Sequence, residues 1–424
     1  MAVDTQLKRE MGLFGATALG IGAIIGSGIF IVTGIVAGIA GPAMVLSILL
    51  AGIISFFSAV SVAELGRCMP VEGGTYAFAR DLISPYAGFI AGWIWIFSNI
   101  FVGAAVSLGF AQYFVTFIPG LPVKLVAVVV CLVFLVVNYA GLKESALVNN
   151  LLVSVKVLIL LFFVAFGLMF FRTANLVPFV PMGPTGVLSG AALIFFAYTG
   201  FARVTIIAEE VHDPETTIPR SIYLALFLST VIYLLVSVVA IGLAGPARLA
   251  GSGSPLSDAI ATAGNPAVVA IISLGAMIAT ASVLLTTILG ISRIVFAMGR
   301  NGDLPRTFST LNARYCTPAM AIGITGALMI AALLLTDLIL VVSVSTFAML
   351  VYYGIANIAA LKIPAARKRY PAIISVIGAV SCIVLLVFLS PVSIAIGIAG
   401  IGLGTAIFFY RKRGTGKSTS LHPI

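Results

Sequence analysis

Lys156 is the residue whose chemistry most needs an explanation. It stands in the run Leu151-Leu-Val-Ser-Val-Lys-Val-Leu-Ile-Leu-Leu-Phe-Phe163, which carries no other charge. Read as a helix, the run places Lys156 about ten residues inside a membrane span, ~15 Å from its end at 1.5 Å per residue. Snorkelling falls short over that distance, and a charge at a bilayer centre costs about 2.5–3.5 kcal/mol on the mildest scale. Either the helix is shifted so that the amine reaches the interface, or the buried amine works. An amine held there can take up and release a proton in each working cycle.

Two glycine-marked segments carry the second kind of chemistry. The first is Leu19-Gly-Ile-Gly-Ala-Ile-Ile-Gly-Ser-Gly-Ile-Phe30 and the second Phe195-Phe-Ala-Tyr-Thr-Gly-Phe-Ala-Arg203. Glycine inside a helix costs roughly 1 kcal/mol relative to alanine. The cost is repaid by close helix packing or by an unwound stretch at Gly26-Ser27-Gly28. Unwinding frees backbone N–H groups beside a helix N-terminus, which is an anion site. Free carbonyls at the second break would accept an ammonium group, so the pair suits a small zwitterion such as an amino acid. Phe196, Tyr198 and Phe201 are either an aromatic lid on that site or lipid-facing rings. Asn99 is structural glue or a substrate contact. Arg203 is a snorkelling arginine or a gate paired with Glu210, seven residues on and on the same face of an α-helix. Glu64, Glu209 and Glu210 read as solvated groups near helix ends.

The elements that must position these residues follow from composition. The 424-residue chain is 61% hydrophobic and 8% charged, against about 25% charged in ordinary globular proteins. Apolar blocks near 20 residues long recur, the length that crosses a ~30 Å hydrocarbon core. Their continuity selects helices over barrel strands. Twelve spans are expected, at 12–40, 42–69, 85–118, 123–142, 147–171, 187–211, 221–245, 267–298, 318–336, 338–362, 371–390 and 392–410. With the N-terminus inside, seventeen Lys and Arg fall on inner segments. Lys124, Arg172 and Arg248 fall outside, and Lys156, Arg203 and Arg293 within spans, which accounts for all 23. That bias puts both termini in the cytoplasm of a multi-pass cell (plasma) membrane protein. The broken segments open two five-helix blocks, 12–171 and 187–362, the mark of an inverted-repeat transporter with a midplane site. Spans 371–410 are appended, with cytoplasmic ends at 1–11 and 411–424.

Other chemistries are excluded. The net charge of +10 is scattered through loops with no basic face, so no nucleic acid is expected. Cys68, Cys131, Cys316 and Cys382 are too dispersed for a metal or redox pair, and both histidines, His212 and His422, lie outside spans. No metal, cofactor or cleavable signal peptide is expected. Gly414-Thr-Gly-Lys-Ser-Thr419 lacks the first glycine and the preceding strand of a phosphate loop. Gly20, Gly22 and Gly26 miss the dinucleotide spacing by one residue. A membrane enzyme would need a polar catalytic cluster, and a channel a continuous polar face; neither is visible.

At these residues the chain resembles the amino acid–polyamine–organocation superfamily of transporters, over nearly its whole length. Gly26-Ser-Gly-Ile-Phe30 is similar to the family's broken first helix, and Ala63-Glu-Leu-Gly-Arg-Cys-Met-Pro-Val-Glu-Gly-Gly-Thr-Tyr76 to its hallmark after helix 2. Phe195–Phe201, with Glu209-Glu-Val-His-Asp-Pro214 and Ile218-Pro-Arg220, resembles the broken sixth helix and its loop. Ser292-Arg293 with Ala297-Met-Gly-Arg-Asn-Gly-Asp-Leu-Pro305 resembles the end of the eighth. The resemblance implies a LeuT-like five-plus-five fold with helices 11 and 12 added. It implies a carboxylate site at Gly26, Ser27 and Gly28, a gating aromatic at Phe196, and an ammonium site at Ala197 and Thr199. Lys156 matches the lysine of the sodium-independent, proton-coupled ApcT-type branch, in which it neighbours helix 1 near Gly22 and helix 8 near Ser282. Charged, it would fill a cation position that sodium occupies in related transporters. Cationic amino acid carriers often have an acid two positions after the helix 6 glycine; Ala202 stands there, followed by Arg203. The expected activity is therefore import of neutral amino acids with protons by alternating access. An exchanger is the nearest alternative, and a cationic amino acid or polyamine carrier the next.

Overall fold

The computed structural model describes residues 11–71, 73–141, 146–312, 314–315 and 317–414. Expectations placed on Lys8, Arg9, Lys143, Cys316, Lys417, His422 and most of the 414–419 tail lie outside them. The regular structure is helical, apart from one isolated bridge between Met11 and Val211. In chain order the helices are α1 (Leu13–Ile24), α2 (Thr33–Ala40), α3 (Met44–Cys68), α4 (Thr75–Leu82), α5 (Pro85–Phe114), α6 (Val123–Tyr139), α7 (Ala146–Leu168) and α8 (Gly183–Ile194). They continue as α9 (Pro214–Ala250), α10 (Pro255–Ile260), α11 (Pro266–Arg300), α12 (Ala319–Leu335), α13 (Leu338–Leu361), α14 (Ala372–Val387) and α15 (Pro391–Gly414).

Local chemistry sets many of these ends. Ser84 accepts from Ala87 N at 3.1 Å ahead of Pro85, and Asp337 accepts from Leu340 N at 2.8 Å. Each is an N-cap, and Pro85 contributes no N–H at a position where none is needed. Gly245, at φ 74°, with Pro246 behind it, kinks α9 where the seventh span was expected to end. Two helices were not anticipated: α4 and α10 are too short, at 8 and 6 residues, to show a helical period.

Among the described residues, eight segments are long and apolar enough to cross a membrane, the first of them, Leu13–Cys68, holding α1 to α3 together. Three shorter apolar helices, α6, α12 and α14, accompany them. The chain is therefore a polytopic all-helical membrane protein. Helix α5 is the central post and packs on α11 and α13, while α9 packs on α1, α2 and α3. Outer helices present apolar faces, for example Leu125, Val129, Leu132 and Val136 on α6. In a bilayer such a face meets lipid.

Between α3 and α5, a polar cluster fastens α4 to the end of α11. Tyr76 donates to Asp303 Oδ2 at 2.6 Å, and Arg80 pairs with the same oxygen at 3.2 Å. Asn301 Nδ2 donates to the Tyr76 oxygen at 2.9 Å. Burial first, then the bond to Asp303, pushes the Tyr76 phenol up to about 12, so it stays a donor at neutral pH. Tyr76→Phe keeps the Arg80–Asp303 pair but strips the phenol bonds, and should cost about 1–3 kcal/mol, read as a lower thermal midpoint in detergent.

Candidate functional site

The first break is a short one. Ile25 still bonds back to Ile21 O at 2.7 Å, but its ψ of 83° leaves the helix. Ser27, only 3% exposed, then starts a π-turn over Gly28–Val32 that leads into α2. The first N–H groups of the new helix lack intrahelical partners, and its positive end points at the gap.

The second break is made of 3₁₀ turns, Phe195–Tyr198 and Phe201–Glu210, joined at Thr199-Gly200. Three residues per turn sort the side chains into rows. Phe195, Tyr198, Phe201 and Val204 form one row, all 0–1% exposed, which packs away from the gap. Phe196, Thr199 and Ala202 form the second, and Ala197, Gly200, Arg203 and Ile206 the third; both face a cavity.

The two breaks touch. A Cβ on Gly28 would stand 2.4 Å from Ala197 Cβ, and one on Gly200 would stand 2.3 Å from the Ala23 carbonyl. Only glycine permits these approaches. Tyr233 of α9 lies with its hydroxyl 2.6 Å from Ile24 O and 3.1 Å from Ala197 O, so one proton serves both breaks. Tyr353 of α13 donates to Thr199 O at 2.5 Å. The carbonyls expected to be free at the second break are thus each met by a phenol, with one lone pair remaining. Tyr233→Phe should loosen the junction of the two breaks and weaken substrate affinity by about tenfold, the worth of one ordinary hydrogen bond, measured by radioligand binding.

Between the breaks lies a cavity of about 40 Å³, lined by Gly26, Ser27, Gly28, Asn99, Phe196, Ala197, Thr199, Ala202 and Arg203 among others. Roughly three waters would fill it at ~10–15 Å³ each, so the site is contracted. The structure brings the expected residues of the two breaks together with Asn99, whose Nδ2 donates to Trp95 O at 2.8 Å. Trp95, Val102, Val283, Met349, Tyr352 and Tyr353 also line it and were missed, because they come from α5, α11 and α13, far away in sequence. A phenol at membrane depth needs a polar partner, and that was the available signal for Tyr233 and Tyr353.

Three expectations need correction. Tyr198 and Phe201 are not over the site: Tyr198 donates to Ile48 O at 3.2 Å, and Phe201 stacks on Tyr353 with centroids 4.6 Å apart. The 3₁₀ row turns them into the core, leaving Phe196 at the cavity. Arg203 does not pair with Glu210; it donates to Thr286 Oγ1 at 2.6 Å and Thr287 Oγ1 at 3.3 Å. At three residues per turn, a separation of seven puts two side chains about 120° apart. The side chain of Glu209 lies outside the described residues. Glu64 is not solvated: it is 6% exposed, pairs with Arg67 at 3.0 Å and accepts from Arg369 N, because the segment after α13 folds over the end of α3.

Lys156 is fully buried on α7. Its Nζ donates to Ser282 Oγ on α11 at 2.9 Å and to Gly22 O on α1 at 3.3 Å. The approach depends on Gly22, where a Cβ would meet Val153 at 2.6 Å. One amine therefore links α7, α11 and the half-helix that runs into the first break. Among the described residues no cluster suited to a metal occurs.

The chain matches the amino acid permease family model over residues 11–416. It is 34% identical to the branched-chain amino acid permease BcaP of Bacillus subtilis, with 97% of this chain and 94% of that one covered. It is 33% identical to the methylthioribose transporter of the same bacterium, with 96% and 94% covered. Cationic amino acid transporter 2 of Arabidopsis thaliana, a vacuolar protein, is 34% identical over 76% of this chain and 54% of its own length. The chain belongs to the amino acid permease family, within the amino acid–polyamine–organocation superfamily, whose members are membrane transporters and not enzymes.

Proposed function

We propose that the protein imports neutral amino acids together with protons across the cell membrane by alternating access. The observation that carries this reading is the meeting of two helix breaks at a small cavity. N–H groups of Ser27 and Gly28 would take the carboxylate, joined by that of Gly26 once it leaves Ile24 O, to which it donates at 2.9 Å in the contracted site; carbonyls of Ala197 and Thr199 would take the ammonium group. Phe196 would cover the site, and Asn99 and Ala202 would shape it. Twelve crossings in a five-plus-five inverted repeat, with α14 and α15 added and both ends cytoplasmic, would frame these breaks.

Lys156 would couple the cycle to protons. Charged, its amine holds α1, α7 and α11 together through charge-assisted bonds, which are roughly twice as strong as neutral ones. Released of its proton, it would bind Gly22 O and Ser282 more weakly and let α1 move against the rest. The contracted cavity fits a cycle in which the helices must part to admit cargo. The branched-chain relative's name is in keeping with neutral cargo. The plant relative's name points to cationic cargo, but Arg203 beside the cavity opposes a second positive charge there.

Proteoliposomes decide the matter. Uptake should rise with an inward proton gradient and ignore sodium. Uptake that ignores pH but responds to preloaded amino acid would make the protein an exchanger.

A further inference from the structure

The charge balance of the cavity narrows the cargo. Arg203 lines it, and its guanidinium donates to the hydroxyls of Thr286 and Thr287. A guanidinium has five N–H groups, and among the described residues no carboxylate pairs with this one. Lys156 places a second basic group behind Gly22, and among the described residues no acidic side chain lines the cavity. Arginines at membrane depth ordinarily pair with an acid or a carbonyl, and they mark paths for ligands. A bound zwitterion leaves the balance unchanged, since its carboxylate is cancelled by its own ammonium group.

The geometry says where the missing oxygen belongs. Val283 of α11 stands against Gly26 at the first break. Thr286 and Thr287, which hold the guanidinium, follow three and four residues later, so ~4.5–6 Å farther along α11 at 1.5 Å per residue. That offset is about the reach of a side chain with one or two methylenes, measured from a backbone bound at the break. Ala202 adds no bulk beside it. The planar fork of an arginine suits a carboxylate or carboxamide oxygen.

We propose that Arg203 is a specificity-determining residue that donates to the side-chain oxygen of the cargo. The favoured substrates are then amino acids with a carboxylate or carboxamide side chain: aspartate, glutamate, asparagine and glutamine. This rests on the reading of the cavity as an amino acid site; it keeps the exclusion of cations and extends the cargo of that reading from neutral to acidic side chains.

The test is competition binding to the purified full chain in nanodiscs, with glutamate, glutamine, methionine and lysine as probes. Methionine matches glutamine in length without its oxygen. The wild type should bind glutamate or glutamine about 10- to 100-fold tighter than methionine, the worth of one charge-assisted hydrogen bond, and lysine weakest. Arg203→Met should collapse the glutamine-to-methionine ratio toward one. Thr286 retains its bond to Ser282 O in that variant, and gel filtration reports whether the protein stays monodisperse. Equal or tighter methionine binding by the wild type overturns the inference without any variant, so a misfolded mutant does not rescue it. An Arg203→Met variant that weakens every probe equally also overturns it, since Arg203 is then structural. Failure of all twenty amino acids to bind would instead defeat the transport reading beneath it.

Discussion

Lys156→Ala should leave the protein folded and able to equilibrate its substrate, yet unable to concentrate it. With one proton moved per substrate, a gradient of one pH unit supports about a tenfold accumulation, since a tenfold ratio is worth 1.4 kcal/mol. In proteoliposomes with the inside one unit more alkaline, the wild type should approach that ratio and the variant should stay near one. The fold should survive because the substitution removes a buried charge, and two of the groups it leaves behind, Gly22 O and Ser282 Oγ, are neutral. Normal concentrative uptake by the variant refutes the coupling role. A variant that neither binds nor folds points instead to a structural lysine tying α1, α7 and α11.

Gly28→Val should abolish binding outright. The added Cβ would already lie 2.4 Å from Ala197 Cβ and 2.5 Å from its Cα, contacts that only backbone movement relieves. Valine adds two further methyl groups to the same gap. Overpacking a close-fitting core costs about 1–3 kcal/mol, and here the shift separates the two groups of backbone donors and acceptors that hold the zwitterion. Equilibrium binding should show no saturable site, while the thermal midpoint falls by several degrees. Gly323→Ala is the matched control: a Cβ there meets nothing within 4 Å, and binding should be unchanged.

Much of the fold could be read from the sequence because a membrane punishes exceptions. A lone lysine in an apolar run, and four glycines in twelve residues, stand out where every charge and every helix breaker costs energy. Those exceptions led to Lys156 and to both breaks. The partners Gly22 and Ser282 came from family resemblance and not from the run itself. What stayed hidden has a common physical origin. The second break is 3₁₀, so its facing residues repeat every three positions, and an α-helical reading misassigned Tyr198, Phe201 and the Arg203–Glu210 pair. Trp95, Tyr233 and Tyr353 reach the breaks from other helices, which local spacing does not encode. The burial of Glu64 depends on the strand of backbone at Arg369, some three hundred positions away. Helices as short as α4 carry too few residues for periodicity to speak.

A density map of the purified protein with a bound amino acid tests the central claim most directly. The carboxylate should sit on the N–H groups of residues 26–28 and the ammonium group on the carbonyls of Ala197 and Thr199, with α1 and the 3₁₀ turns moved apart to admit it. Density for the amino acid elsewhere, with these breaks still closed on each other, would contradict the account.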